Sequence, residues 1–489
     1  MKVFSLILIV LIMVLTSMVS ILGETKPNIT SMVNKTIEIT KNSQTAIGYY
    51  SNDEYFVDYY SQDHSLNDSS LFQIGSLSKS FTAFGIMRLV DEGKISLDDL
   101  VYTYIPELTS RYSGSTLPKE TLKIKHLLYQ TSGFNNSSTH SPIADEDDTL
   151  LEHVLKSNNK ELVSFPGETF NYGNINYNIL GLIIERVSNK KYSEYMTTSV
   201  FTPLGLSNTF ADGIGKKDNL VIGQKVIFFG TTNFDYQIRI GDIPSGFILS
   251  SAKDIIRWNQ IHSKKILIND EVSRVVESMH IPNEQSIIDD HTKYASGLFV
   301  DSITGDTYHP GGTINFSSYF VFNEADGIGV SVLLNINLSS NTQDIGVNAM
   351  NLLRGNDTLI YSSDVWTTFD LVFSFVILFS SLGILIAFIF IGLSFKKIFT
   401  NASFNKLNSK SVVLLILSCL PIIVSIAIYI ALPLMFGYNW TTLTLWAPST
   451  LDIGLLTLVI LGITLIGLNL LKALFLPKNS IPNETELES

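Results

Sequence analysis

Three uninterrupted apolar runs constrain this 489-residue chain more than any motif in it. No charged residue occurs from Leu371 to Phe395, from Ser411 to Tyr438 or from Ile453 to Leu471. As a helix, each run is long enough to cross a hydrocarbon layer about 30 Å thick. A core helix of a soluble protein rarely needs about 20 uncharged residues in succession. The sequence therefore predicts spanning helices at 369–395, 411–437 and 452–472, followed by a polar cytoplasmic tail at 473–489. At the other end, Lys2 precedes the apolar stretch Val3–Leu22. That pattern fits a signal sequence over 1–23, either removed or kept as a further span. Residues 24–350 are mixed in polarity and form the folded domain, and 351–368 link it to the first span.

The distribution of lysines orients this arrangement. Lys396, Lys397, Lys406 and Lys410 lie between the first two apolar runs, Lys472 and Lys478 follow the last, and the stretch 437–452 has no basic residue. Positive charge is retained on the cytoplasmic side, so the expectation is a multi-pass protein of the cytoplasmic membrane with residues 24–365 outside. The single cysteine, Cys419, falls inside the second run, which leaves the exported domain without a disulfide or a thiol nucleophile. A formal net charge of −12 gives no basic stripe to neutralise phosphates, so nucleic acid is not an expected partner. His, Asp and Glu do not recur at ligand spacings, and neither a metal nor another cofactor is expected.

Within the folded domain, 45–50 and 55–60 read as two short strands of a hairpin around Ser51–Glu54. Ser80–Glu92 reads as a helix with Phe81, Phe84, Leu89 and Val90 on one side and Gly93 as its stop. Further helices are expected at Ile124–Leu128, Tyr177–Val187 and Ala252–His262, and β-prone runs at 297–300, 316–322 and 328–335. Strands at both ends with helices between them predict an α+β domain whose sheet joins the two ends.

Three segments can carry chemistry. Ser76 stands just before the expected helix, with Lys79 three residues on. A helix N-terminus favours developing negative charge, and a nearby amine can take the hydroxyl proton. The Ser-x-x-Lys pattern alone is weak, since the chain contains six of them. Tyr172 and Asn174 follow a Pro-Gly turn; a phenol beside a lysine can have its pKa lowered enough to act as a base, and an amide can orient the lysine and a substrate carbonyl. His309-Pro-Gly-Gly312 leads into a β-prone run, where glycines let a substrate lie against a strand edge. The N–H groups of Gly312 and Ser76 could there share an oxyanion. Each of the last two is by itself a common turn or loop pattern.

In this order and in an exported chain, the three segments resemble the serine β-lactamase and penicillin-binding protein superfamily, in its class C-like branch. The likeness runs from Phe72 to Asn335. It includes FQIGSLSKSFTAFGIMRLVDEGKISLDD, IKHLLYQTSGF, FPGETFNYGNINYNILGLIIERVSNKKYSEYM, FTPLGLSNTF and IPSGFILSSAKDIIRW. The resemblance implies a β-lactamase/transpeptidase-like domain of antiparallel sheet and helices. It implies Ser76 as acylated nucleophile, Lys79 and Tyr172 as the proton-handling pair, Asn174 as orienter, and His309 in place of the usual third-motif lysine. A histidine there offers a charge that depends on pH, and favours esterase, amidase or aminopeptidase-like chemistry over ordinary carboxypeptidase and β-lactamase activity.

The attached apolar runs are similar to those of membrane-bound peptidases that mature non-ribosomal peptide prodrugs, of the colibactin-peptidase type. YASGLFVDSITGDTYHPGGTINFSS and LWAPSTLDIGLLTLVILG carry that likeness. It implies removal of an N-acyl-D-asparagine cap from a peptide or lipidated peptide met at the membrane lipid. Asn315, then Asn174, is the expected contact to the D-Asn side chain, and Asp242 stands where this subgroup has a histidine. The rival readings are a cell-wall D-stereospecific carboxypeptidase, a D-alanyl esterase, and a sensor that is acylated once without turnover.

Overall fold

The computed structural model describes residue 29 and residues 44–475, except 52–53, 62–64, 138–144, 146–147, 214–216, 359–363 and 402–406. The expected signal sequence, the tip of the first hairpin and the tail beyond residue 475 lie outside the described residues.

The two ends of the folded domain meet in one seven-stranded sheet. Its strands are β1 (Thr45–Ser51), β2 (Glu54–Tyr60), β5 (Thr292–Tyr294), β6 (Phe299–Asp301), β7 (Thr307–Gly312), β8 (Ser317–Asn323) and β9 (Ile328–Leu334), with β3 (Gln224–Ile227) and β4 (Gly230–Asn233) forming a separate hairpin. The sheet runs β5-β6-β7-β8-β9-β1-β2, and every pairing is antiparallel. Thr45 of β1 lies opposite Leu334 of β9, which closes the domain end to end.

Every residue of β8 and β9 is buried, because helices cover both faces. Alternate side chains point to opposite faces of a strand. Phe320 and Phe322 accordingly join one core with Trp258 of the helix α3 (Ala252–His262), while Tyr319 and Val321 join a second core with Ile345, Ala349 and Met350 of α5 (Ser339–Leu353). Helix α5 falls outside the sequence expectation. Its Ser, Asn and Thr residues are poor helix formers, and it is the apolar stripe packed on the sheet that holds it.

The helix after the first motif, α1 (Ser78–Asp91), differs from the one-sided helix expected there. Ser78–Met87 are all buried, including Ser78, Lys79, Ser80 and Thr82. Each hydroxyl is bonded: Ser78 Oγ accepts from Ile248 N, Ser80 Oγ accepts from Trp258 Nε1, and Thr82 Oγ1 donates to Pro244 O. α1 is the central helix of the domain, flanked by α2 (Asn174–Ser188) and α4 (Asp270–Met279).

Among the described residues, three stretches of the C-terminal part are long and apolar enough to cross a membrane. They are α6 (Val365–Asn401), the pair α7 (Ser409–Ser418) and α8 (Leu420–Phe436), and α10 (Thr450–Phe475), with the short α9 (Trp440–Trp446) between α8 and α10. α7 and α8 meet at Cys419, where Pro421 cannot supply its N–H to the ladder. Large apolar side chains such as Leu378, Phe379 and Phe388 face outward, as lipid contact requires. Gly454 and Gly462 let Phe373 and Ile422 approach the α10 backbone, the small-residue packing used where no hydrophobic force joins helices.

The folded domain is fastened to these helices by polar contacts at one end. The carboxylate of Asp370 accepts from Phe228 N at 2.9 Å and Phe229 N at 2.7 Å, at the tip of the β3–β4 hairpin, and from Thr450 Oγ1 at 2.8 Å.

Candidate active site

The nucleophile position is set by a glycine. Gly75 has φ +54, and a Cβ there would run into the backbone nitrogen of Gly312. Only glycine allows this left-handed turn to be pressed against the end of β7. Ser318 Oγ, opposite Gly311 on β8, fixes the turn further by donating to Ile74 O at 2.7 Å. Ser76 thus lies beside Gly312 in the single 3-10 turn Gly75–Leu77 that leads into α1, with its side chain partly exposed.

Lys79, one turn after Ser76 and second in α1, is 0% exposed. Its Nζ lies 3.1 Å from Ser76 Oγ, 2.7 Å from Asn174 Oδ1 and 2.7 Å from Ser245 O. The last two atoms only accept, so two N–H groups are committed to them. The remaining direction on nitrogen points at the Ser76 hydroxyl, and carries a proton in the ammonium or a lone pair in the amine. Burial drives the Lys79 pKa well down, opposed by the carboxylate of Asp242. The neutral amine therefore leaves no partner unsatisfied.

Tyr172 presents its ring to the same nitrogen, 4.9 Å from the ring centroid, and Tyr177 lies beyond at 5.7 Å. The Tyr172–Asn174 turn is cradled by the segment around Gln130: Gly173 N donates to Gln130 Oε1 at 3.0 Å and Asn174 N to Asn136 Oδ1 at 3.2 Å. The phenol does not carry the lowered pKa that a neighbouring lysine suggests. Burial holds it well above the ordinary tyrosine value, with the neighbouring Tyr294 phenol adding to the effect and a hydrogen bond to Ser76 opposing it.

His309 departs from the expectation of a pH-dependent charge. It lies on β7, buried, with Nε2 3.3 Å from Tyr294 OH and Nδ1 2.6 Å from Pro310 O. Burial and then Lys79 push its pKa down to about 3, so it is neutral at ordinary pH and acts as a hydrogen-bonding ring. Its neighbour Tyr294, which also reaches Tyr177 OH at 3.5 Å, packs edge-on to Tyr172.

Two expected substrate contacts are spent inside the protein. Asn315 is 1% exposed, and its Nδ2 donates to Phe234 O at 2.7 Å, tying the chain after β4 to the turn before β8. Asp242 lies buried behind Lys79. Its Oδ1 is 3.0 Å from His153 Nε2 and accepts from Asn178 Nδ2 at 2.9 Å. Burial lowers the His153 pKa, but the Asp242 carboxylate outweighs it and the net shift is upward. Ser245, Tyr294, Gln130 and His153 went unassigned in the sequence, although Ser245, Tyr294 and Gln130 fall inside its family-like segments. Among the described residues no three His, Cys, Asp or Glu side chains gather as metal ligands.

Residues 45–349 match the profile of the family described as Beta-lactamase. Protein flp of Staphylococcus aureus (strain N315) is 28% identical over 402 residues, covering 80% of this chain and 78% of its own. Penicillin-binding protein 4* of Bacillus subtilis (strain 168) is 34% identical over 154 residues, 29% of this chain and 31% of its own. Among solved structures, the octameric penicillin-binding protein homologue from Pyrococcus abyssi superposes with TM-score 0.56 at 23% identity, over 71% of this chain and 80% of that one. A class C beta-lactamase superposes with TM-score 0.57 at 18% identity, over 67% and 96%. At these identities the two structures show the shared fold.

Proposed function

The chain belongs to the beta-lactamase family of serine hydrolases, and on that premise we propose that it is a membrane-anchored, extracytoplasmic peptidase acting through an acyl-enzyme on Ser76. The observation that carries this reading is the Lys79 amine, which has two acceptor-only partners and one direction left, toward the Ser76 hydroxyl. In this reading Ser76 Oγ passes its proton to Lys79 and bonds to the scissile carbonyl carbon, whose oxygen takes the electron pair. The N–H groups of Ser76 and Gly312 receive that oxyanion. The proton then passes from Lys79 through the Tyr172 phenol to the departing amine as the carbon–nitrogen bond breaks. Water later gives a proton back to the Tyr172/Lys79 pair and attacks the ester, and Ser76 leaves with its proton restored. A phenol held protonated suits the donor role in the first half.

The substrate we favour is a peptide capped by N-acyl-D-asparagine, with the Asn174 amide as the contact to the cap. The neutral His309 supports this over a carboxypeptidase, because the third motif lacks the fixed cation that a substrate carboxylate would need. A D-alanyl ester, which has no free carboxylate, remains the second reading on the same observation. The extracytoplasmic placement rests on Lys410 and Lys472, at the ends of the apolar helices away from the folded domain, and on the lysine-free stretch beside that domain.

The test uses membranes containing wild type or Ser76→Ala with a fatty-acyl-D-Asn-L-Ala peptide and its L-Asn epimer, followed by mass spectrometry. Acyl-D-Asn is expected only from the D-epimer and only with wild type. Cleavage of both epimers, or by Ser76→Ala, overturns the proposal; stoichiometric labelling of Ser76 without turnover identifies the sensor.

A further inference from the structure

The segment between α8 and α10 does not hang free at the surface of the apolar helices. Lys225 on β3, only 6% exposed, donates to Leu445 O at 2.7 Å and Thr444 O at 3.3 Å, with its Nζ 4.6 Å from the Phe234 ring. These are among the last carbonyls of α9, which have no partner inside the helix and attract a cation. Asn315, through Phe234 O, and Asp370, through Phe228 and Phe229, hold the two ends of the same hairpin. The soluble domain thus grips α9 with a buried lysine on a braced hairpin.

The residue delivered by this grip is Trp446. The edge of its ring, Cζ3, stands 4.0 Å from the point where a side chain would leave Gly312. An aromatic residue from between the apolar helices therefore stands against the strand end of the candidate site. Glycines at 311 and 312 leave β7 with backbone only; at Gly312 the Ser339 hydroxyl and the Asn337 amide lie nearest, and the indole is the apolar group beside them.

We propose that Trp446 forms a wall of the active-site cleft and selects substrates with an extended apolar group flanking the scissile carbonyl, with Lys225 as the latch that holds the wall in place. Aromatic faces bury large area at little conformational cost, and they favour the zone where bilayer and water meet. This inference rests on the Ser76 hydrolase reading and extends it: the segment between the apolar helices is part of the site as well as a link.

The full-length protein in nanodiscs can be assayed with p-nitrophenyl acetate and p-nitrophenyl octanoate, alongside the rate of Ser76 labelling by a small alkyl fluorophosphonate. For Trp446→Ala, kcat/KM on octanoate should fall about tenfold, mainly through KM, with acetate hydrolysis and labelling within about twofold of wild type. Trp446→Phe should restore most of the octanoate preference. Lys225→Met should move it in the same direction as Trp446→Ala. An unchanged octanoate-to-acetate ratio in all of these variants overturns the proposal, as does an equal loss on both esters and on labelling. Failure of the underlying reading looks different: Ser76→Ala would hydrolyse both esters at the wild-type rate.

Discussion

The Nζ of Lys79 lies 2.7 Å from Oδ1 of Asn174, an atom that can only accept a hydrogen bond. Together with Ser245 O this contact fixes how the amine is turned toward Ser76. Asn174→Ala removes the acceptor without touching the nucleophile or its helix. Turnover should fall by about a hundredfold or more, with slower fluorophosphonate labelling of Ser76 and an unchanged circular dichroism spectrum. Equal labelling rates in variant and wild type would remove Asn174 from the proton path.

Asp242 supplies the negative charge that partly offsets the burial of Lys79. The carboxylate stabilises the ammonium form, so replacing it with an amide lowers the Lys79 pKa still further. In Asp242→Asn the acidic limb of kcat/KM should therefore move to lower pH, because the amine stays deprotonated longer as protons are added. A profile over pH 5–9 checks the sign. An acidic limb that stays in place would mean that it does not report the deprotonation of Lys79.

The pKa of His309 is pushed from 6.5 to about 3 by burial and by Lys79. Between these values the unfolded chain binds a proton that the folded chain refuses, so stability rises with pH across the window and is lost as pH falls through it. Replacing the ring by His309→Gln removes this dependence. The gap in thermal midpoint between wild type and variant should change in wild type's disfavour from pH 7 to pH 4.5, equivalent to on the order of 1 kcal/mol per pH unit. A gap constant over that range would mean that the ring keeps its ordinary titration when folded.

What the sequence showed well were contiguous signals: Ser76-x-x-Lys79, Tyr172-x-Asn174 and the strand-end glycines each sit at the end of one element, and folding brings those ends together. The ends of the sheet were legible for the same reason, since β1 and β9 carry their own β-prone runs. Partners acting through the backbone left no such trace. Ser245 contributes a carbonyl, which any residue type would supply, and Tyr294 joins the site only through the pairing of β5, β6 and β7. Burial was the other hidden quantity. It removes the pH-dependent charge expected of His309, reverses the direction expected for Tyr172, and turns Asn315 and Asp242 inward. Helix α5 shows the limit from the opposite side, as packing on Tyr319 and Val321 overrides weak local propensity.

Gly75 offers the sharpest test of how the nucleophile turn and β7 depend on each other. Its φ of +54 is costly for any residue with a Cβ, and the added methyl of Gly75→Ala would point into the backbone of Gly312. Relief requires the turn and the strand end to move apart, which would separate the two N–H groups assigned to the oxyanion. The loss of one well-placed donor costs about a hundredfold in turnover or more. Gly75→Ala should therefore lose at least that much, while Gly93→Ala, at another positive φ but with open space around it, should lose stability alone. Comparable kcat values for the two variants would separate catalysis from the Gly75–Gly312 contact.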